Sequence, residues 1–385
     1  MVHDSRRNPR AHAAYLLAVV ALAAAVPPAW ARQVAPVTVR GVVRSADGLP
    51  VPFATVALQP GHAPRFTDDS GRFAFERVPP GPYHLVARQV GFHPDDTTLV
   101  VAQGRSLAVT VALEPIELEL AAIRVEVTRG CTAPGPPDSA ASPELTVLFD
   151  QLRENAARYR MMTEAYPFRF RMARTFVNYD ASGAVADSAS DTVRYLSSAL
   201  AGYRTGQVIT WGRGQGRTVS LVLTLPSLAD FADSAFEASH CFTYEGVVQE
   251  DGRPMVRFHF EPALSIRTPD IEGDVDLVPE SYQVRTAVIR LTHPGRAIEG
   301  LSKASSVITY AQLYPNILVQ SRIASEHEPV YRDDLHPRVA RYTEVQRLVG
   351  VAFEHPLPGT RPLGQLSRAE APEGGLRALP LGDGM

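Results

Sequence analysis

A mainly β chain in two parts is the fold class this sequence predicts: an N-terminal β-sandwich, then a curved antiparallel β-sheet or partial barrel with one or two packed helices. Three observations predict it. From 37 to 128, short stretches alternate apolar and polar residues and break at Gly, Pro and Asp about every ten residues, as in a small sandwich. A Pro/Gly-rich linker over 129–142 then leads into one amphipathic stretch with helical spacing. Long alternating strands continue to about 355, with one parity apolar and the other polar, which suits an antiparallel sheet covered on one face.

The elements can be justified in order. At the N-terminus, Arg6, Arg7 and Arg10 precede an apolar run from Ala13 to Val26, and Ala29-Trp30-Ala31 supplies a small-x-small cleavage pattern. Residues 1–31 therefore read as a signal peptide cut after Ala31. The chain is expected to be exported, to the periplasm or the outer membrane. An uncleaved anchor is the alternative, although the run is short for a bilayer. The net charge is −3 and Lys303 is the only lysine. Basic residues do not cluster as a nucleic-acid partner would require, so none is expected.

In 37–128, Val37 to Val43 alternates, Asp47-Gly48 turns the chain, and Ala54 to Leu58 forms the next strand. The cluster Thr67-Asp68-Asp69-Ser70-Gly71 turns it again before Phe73 and Phe75. Pro79-Pro80-Gly81 precedes Tyr83, Leu85 and Ala87, and strands at Leu99–Val101 and Leu107–Leu113 close the set. Gly48, Gly71 and Gly81 suit backbone with positive φ, Asp68 and Asp69 can cap their own turn, and Phe73, Tyr83 and Phe92 read as core aromatics. Calcium binding by Asp47, Asp68 and Asp69 is an alternative reading of the acidic turns, without the spacing of a dedicated calcium loop.

Gly41-Val42-Val43, Asp47-Gly48-Leu49-Pro50, Ala54-Thr55-Val56, Thr67-Asp68 with Gly71 and Phe73, Pro80-Gly81 with Tyr83 and Leu85, and Gly91-Phe92 stand in an order that resembles the carboxypeptidase regulatory-like domain, a transthyretin-like sandwich. The resemblance implies a fold and an accessory, noncatalytic role. Leu118 to Thr128 resembles the segment joining such sandwiches to the plug of TonB-dependent outer-membrane receptors. Beyond it stand Gly130-Cys131 and a proline-rich linker in place of a plug, with too few residues left for a plugged barrel. A truncated relative of those receptors' N-terminal regions stays open.

In 143–355, Ser142 is placed to cap a helix with Pro143 at its first position, and Leu145, Leu148, Phe149, Leu152, Ala156 and Tyr159 recur at helical spacing over about 16 residues. Strands then alternate at Phe168–Met172, Val256–Phe260, Gln283–Leu291, Val307–Ala311, Ile317–Ile323 and Tyr342–Val349, with a hairpin turn at Asp251-Gly252. Tyr244, Gly246, Asp251-Gly252-Arg253, Phe260, Pro262, Ile271, Gly273, Val275, Leu277 and Ser281-Tyr282 resemble periplasmic lipoprotein-carrier-like domains. That resemblance implies a concave face which either holds a lipid or is packed by the helix. A membrane barrel is a further alternative. Residues 356–385, polar and rich in Gly and Pro, read as a disordered tail.

No catalytic constellation emerges, and no cofactor or metal is expected. Ser325-Glu326-His327-Glu328 with Asp333, Asp334 and His336 is the densest polar cluster, but Pro329 and Pro337 interrupt any helix that would align it. Ser239-His240-Cys241 has no evident acid partner, and Gly212, Gly214 and Gly216 read as a hairpin loop. Cys131 and Cys241 are an even pair in an exported chain and so a possible disulfide. The leading expectation is a noncatalytic cell-envelope protein acting as a binding or scaffolding module. Its partner would be an envelope protein or a hydrophobic ligand, with peripheral outer-membrane association possible. A periplasmic carrier of a lipid is the alternative.

Overall fold

Side chains alternate across an extended backbone, so β1 (Val37–Ser45) sends Val37, Val39 and Val43 inward and Arg40 and Arg44 outward. In a computed structural model describing residues 37–118, 130–140, 142–199, 202–213, 219–297, 300–329 and 340–360, the same rule builds six more strands. They are β2 (Thr55–Gln59), β3 (His62–Phe66), β4 (Arg72–Val78), β5 (Gly81–Arg88), β6 (Asp95–Val101) and β7 (Leu107–Leu113). They form two sheets, ordered β4-β1-β7 and β3-β2-β5-β6, with β7 parallel to β1 and the other neighbours antiparallel. Val39, Val56, Leu58, Phe75, Leu85 and Leu113 are fully buried between them.

Pro143 opens α1 (Pro143–Ala165), where a missing N–H costs nothing. Ser142 makes no side-chain cap; its carbonyl instead accepts from the N–H and the Oγ1 of Thr146, both at 3.1 Å. The helix runs 23 residues, longer than its clearest apolar repeat, because Met162 and Thr163 continue the buried stripe. Tyr166 and Pro167 end it.

Two long strands come next, β8 (Phe168–Tyr179) and β9 (Val185–Leu196), and then a hairpin of β10 (Ile209–Arg213) and β11 (Val219–Leu223). A short helix α2 (Ser234–Ser239) precedes β12 (His240–Glu250), β13 (Arg253–Pro262), β14 (Ile271–Leu277) and β15 (Val284–Leu291). The set is completed by β16 (Leu301–Tyr314), β17 (Ile317–Pro329) and β18 (Arg341–Phe353). Nine of these strands make one antiparallel sheet in the order β12-β13-β14-β15-β16-β17-β18-β8-β9. Its ends, β12 and β9, do not pair with each other, so the sheet is open and not a closed membrane barrel.

Gly273 shows how closely the sheet is packed. A Cβ there would lie 1.9 Å from the Val288 carbonyl and 2.9 Å from the Phe260 ring, so only glycine fits.

Helix α1 lies against one face of this sheet. Leu148, Phe149, Leu152, Ala156, Tyr159 and Met162 are buried in one cluster with Phe168, Phe170, Phe242, Phe258 and Ile289. Burial at this scale contributes about 1.5–3 kcal/mol for each large side chain. The cavity left beneath α1, beside Tyr159, Met162 and Ile317, is about 20 Å³, room for about one water. Where α1 covers it, the face of the sheet is thus a packed core.

The same helix joins the two parts of the molecule. Gln151, Asn155 and Arg158 are buried polar residues on one helical stripe, and each holds backbone outside the helix. Gln151 Oε1 accepts from the Gly91 N–H at 2.7 Å. Asn155 donates to the Tyr282 carbonyl (2.8 Å) and accepts from the Val284 N–H (3.2 Å). Arg158 donates to the carbonyls of Phe53 (2.7 Å) and Asn316 (3.1 Å). Phe53, Tyr282 and Asn316 all have positive φ, a conformation costly for non-glycine residues, so α1 satisfies the carbonyls of three strained positions. Phe53, Phe66, Val90 and Ile116 of the sandwich belong to the core cluster of the second part.

Candidate functional site

A wide concavity lies on the sandwich. Arg40, Val42 and Arg44 alternate outward on β1, and the register sets Ala74 and Arg72 beside Arg40 and Val42 on β4. On β7, Ala108 and Thr110 face out beside the same two positions. Small side chains therefore make a low floor and arginines rise from it. The trough has a volume of about 1190 Å³, and its far wall is the end of α1 at Ala165 and Tyr166 together with Pro358 and Gly359. Tyr166 stacks on Phe66 with ring centroids 5.7 Å apart, and burial raises its phenol against the opposing pull of Arg65. Gly359 sits so close to the acidic turn that a Cβ would meet that of Asp68 at 2.7 Å.

The electrostatics of the trough are one-sided. Arg40, Arg44, Arg65 and Arg72 line it, and among the described residues no carboxylate lies within ion-pair distance of any of them. Asp68, the acidic residue of the lining, is committed to its own turn: its Oδ1 accepts from the N–H groups of Ser70 (2.9 Å) and Arg72 (2.8 Å). Arg65 lies 4.6 Å over the Phe75 ring and donates to the Ala74 carbonyl at 2.8 Å. Such a surface can bind and orient an anionic ligand.

The residues singled out from sequence fall mostly at turns and in the core. Gly48, Gly71 and Gly81 have φ of +87°, +73° and +155° at turns of the sandwich, and a Cβ on Gly71 would lie 2.5 Å from the Val43 carbonyl. Phe73 is buried under Gly41, and Tyr83 is buried with its hydroxyl donating to the Pro79 carbonyl at 3.0 Å. Asp47 accepts from the Ser45 hydroxyl. Asp47, Asp68 and Asp69 do not come together as a three-ligand group among the described residues.

The sulfurs of Cys131 and Cys241 are bonded, with 5.4 Å between their Cα atoms. His327 on β17 lies beside Tyr342 of β18, with ring centroids 5.5 Å apart, while Asp333, Asp334 and His336 lie outside the described residues. Also outside them are the signal segment 1–31, the receptor-like stretch from 119 to 128, Gly214, Gly216 and residues 361–385 of the tail. Residues 356–360 of that tail are described, with Leu357 buried in the core cluster. His240 is fully buried against Phe236, with ring centroids 4.1 Å apart, and burial pulls its imidazole down.

One group among the described residues has metal-ligand chemistry. Donor atoms of Glu245, His259 and Asp274 lie within 4.8 Å of one another on the outer face of β12 to β14. Asp274 already accepts from His259 Nδ1 (2.9 Å) and is paired with Arg290. Beside it, Arg257 forks onto Asp276 with two bonds of 2.7 Å. The arrangement is a cross-strand polar ladder, with Asp274 already engaged by His259 and Arg290.

The basic trough was not singled out from sequence. Its only sequence signal is the same-parity spacing of Arg40 and Arg44. Arg72 joins them only through the register between β1 and β4.

The fold and site together define a regulatory-type β-sandwich joined to a helix-filled antiparallel sheet. Residues 38–114 match the family model of the carboxypeptidase regulatory-like domain. Comparison with curated proteins returns no match. Among solved structures, the chain is similar to a LolA superfamily protein from Nitrosomonas europaea, at 12% identity over 54% of this chain and 94% of that one, with a TM-score of 0.30. A DUF1329 family protein from Desulfovibrio piger is similar at 10% identity, over 54% of this chain and 94% of that one, with a TM-score of 0.30. The 3-chlorocatechol 1,2-dioxygenase of Rhodococcus opacus is similar at 12% identity over 21% of this chain, with a TM-score of 0.19; the match spans 59% of the dioxygenase, less than two thirds of its length.

Proposed function

We propose that this is a noncatalytic, exported cell-envelope protein that acts as a binding or scaffolding module and holds a partner protein in the trough over β4, β1 and β7. The trough carries the reading: an open volume of about 1190 Å³, floored by small residues and lined by arginines with no carboxylate partners among the described residues. The family match at 38–114 supports an accessory module. The signal-like segment at 1–31 and the bonded Cys131 and Cys241 support export to an oxidising compartment. The packing of α1 favours this reading over a lipid carrier, because the face it covers is a core.

A photo-cross-linking residue at Thr110, on the trough floor, tests the proposal in intact envelopes, with exposed Val185 on β9 as the control position. The expected result is a discrete adduct from Thr110 alone. The protein so identified, once purified, binds the wild type and does not bind Thr110→Trp, which fills the floor. Equal adducts from both positions, or a partner indifferent to Thr110→Trp, would overturn it.

A further inference from the structure

We infer that the trough takes an extended, acidic segment of a protein, with carboxylates on alternate residues. This rests on the reading of the trough as a binding site and names the chemistry of its occupant.

The argument is one of spacing. Arg40 and Arg44 point outward from the same face of β1, with Val42 between them. Arg72 is the register partner of Val42, and residues directly opposite in a ladder share a face. The three cationic residues thus stand at the levels of positions 40, 42 and 44, with Arg72 offset one strand toward β4. Successive levels are about 6.7 Å apart, twice the rise of a strand. An extended peptide repeats the side chains of one of its faces at this same interval. A ligand strand lying along β1 would bring every second side chain to the level of an arginine, of which Arg44 also donates to the Gly48 carbonyl at 2.6 Å. Ala108 and Thr110, small and exposed on β7, leave room beside the ladder for its backbone.

The sheet edge argues against the other common way of holding an extended peptide. Strand addition needs free backbone groups, and β4 has few to offer. Its Ala74 carbonyl accepts from Arg65, and its Arg72 carbonyl accepts from the Asp68 N–H at 2.8 Å. The Arg72 N–H donates to Asp68 Oδ1. The β4 edge, where Arg72 stands, is blunted, so recognition on that side falls to side chains on the face. The charge there is uncompensated, and carboxylates are what it complements.

The test is fluorescence anisotropy on the full exported chain with four probes. One is a labelled peptide alternating Glu and Thr; the second has the same composition with the glutamates in one block. The third alternates Lys and Thr, and the fourth is an oligogalacturonate as a glycan polyanion. The alternating acidic peptide is expected to bind at least about fivefold tighter than the block peptide and the glycan, and the basic peptide not to bind. Arg40→Glu with Arg44→Glu should weaken binding roughly tenfold or more, while Arg40→Lys with Arg44→Lys keeps most of it. Circular dichroism would verify that each variant is folded.

Equal binding of alternating and block peptides, tighter binding of the glycan, or indifference to charge reversal would each overturn the inference. If no acidic peptide binds while Thr110 still cross-links to a partner that Thr110→Trp excludes, only the occupant's chemistry is wrong. If that cross-link is also missing, the binding reading falls with it.

Discussion

His259 shows what one residue contributes on the outer face of the sheet. Its hydrogen bond to Asp274 raises its imidazole above the ordinary value of 6.5, aided by the charges of Asp274, Glu245 and Glu261 and opposed by burial. Burial pushes the Asp274 carboxyl up, but the bonds from His259 and Arg290 outweigh it and the net direction is down. A folded-state pKa that is raised means the folded state holds the proton more tightly than the unfolded chain. The stabilisation from His259 is therefore fully present below about pH 6.5 and fades as pH rises through the raised value. His240 acts in the opposite sense, because burial lowers its imidazole and stability falls as the unfolded chain takes up the proton. The two must be separated by mutation. Replacing His259 by Gln keeps a hydrogen-bonding side chain but removes the titration. In denaturant melts from pH 5.5 to 8.5, wild type should exceed His259→Gln by about 1 kcal/mol at the acidic end, with the gap narrowing as pH rises. A gap that does not change with pH would show that the imidazole is not charged when paired.

At the scale of elements, the disulfide ties the segment after Gly130 to β12. Cys131 is buried, its carbonyl accepts from the Leu264 N–H at 2.9 Å, and the Gly135 N–H donates to the His240 carbonyl at 2.9 Å. The bond closes a loop of 110 residues, for which the chain-entropy account gives about 4–5 kcal/mol. The double variant Cys131→Ser, Cys241→Ser should lose a comparable amount in urea melts, with hydrogen-exchange protection falling first around 131–135 and in β12. A loss under about 1 kcal/mol would mean that neighbouring contacts already restrain the loop.

The elements also differ in how openly the sequence declared them. β1, β4, β5 and β13 bury mainly one face, so alternation over part or all of each strand revealed them. β9 is exposed along almost all its length and is held by cross-strand pairs such as Arg174 with Asp191, so it has no hydrophobic period to read. β3 hides for another reason: it is a short edge strand containing Pro64. The turn residues Asp68 and Gly71 were legible because their chemistry is local. The trough was not, because it depends on which residues of β1 and β4 stand opposite each other.

For the whole molecule, the decisive question is whether the sandwich and the sheet behave as one body. The trough needs both, since its floor is sandwich and its far wall is Tyr166, Pro358 and Gly359. The junction is part apolar, through Phe53, Phe66, Val90 and Ile116, and part polar, through Arg158. Burial pulls the Arg158 guanidinium down to about 10, so it remains charged at neutral pH, with Glu154 on the next turn opposing the shift. That charge is supported by the carbonyls of Phe53 and Asn316, one from each part of the molecule. Replacing Arg158 by Met keeps an apolar stem but leaves both carbonyls without their donor, at a cost of about 1–3 kcal/mol for each buried group. Wild type should therefore melt in a single calorimetric transition. Arg158→Met should lower it by about 2–4 kcal/mol, with exchange protection falling in β2 and at the turn between β16 and β17 alike. Protection lost in only one of these would mean that the two parts are adjacent but uncoupled, and that the trough between them opens and closes without cost to either core.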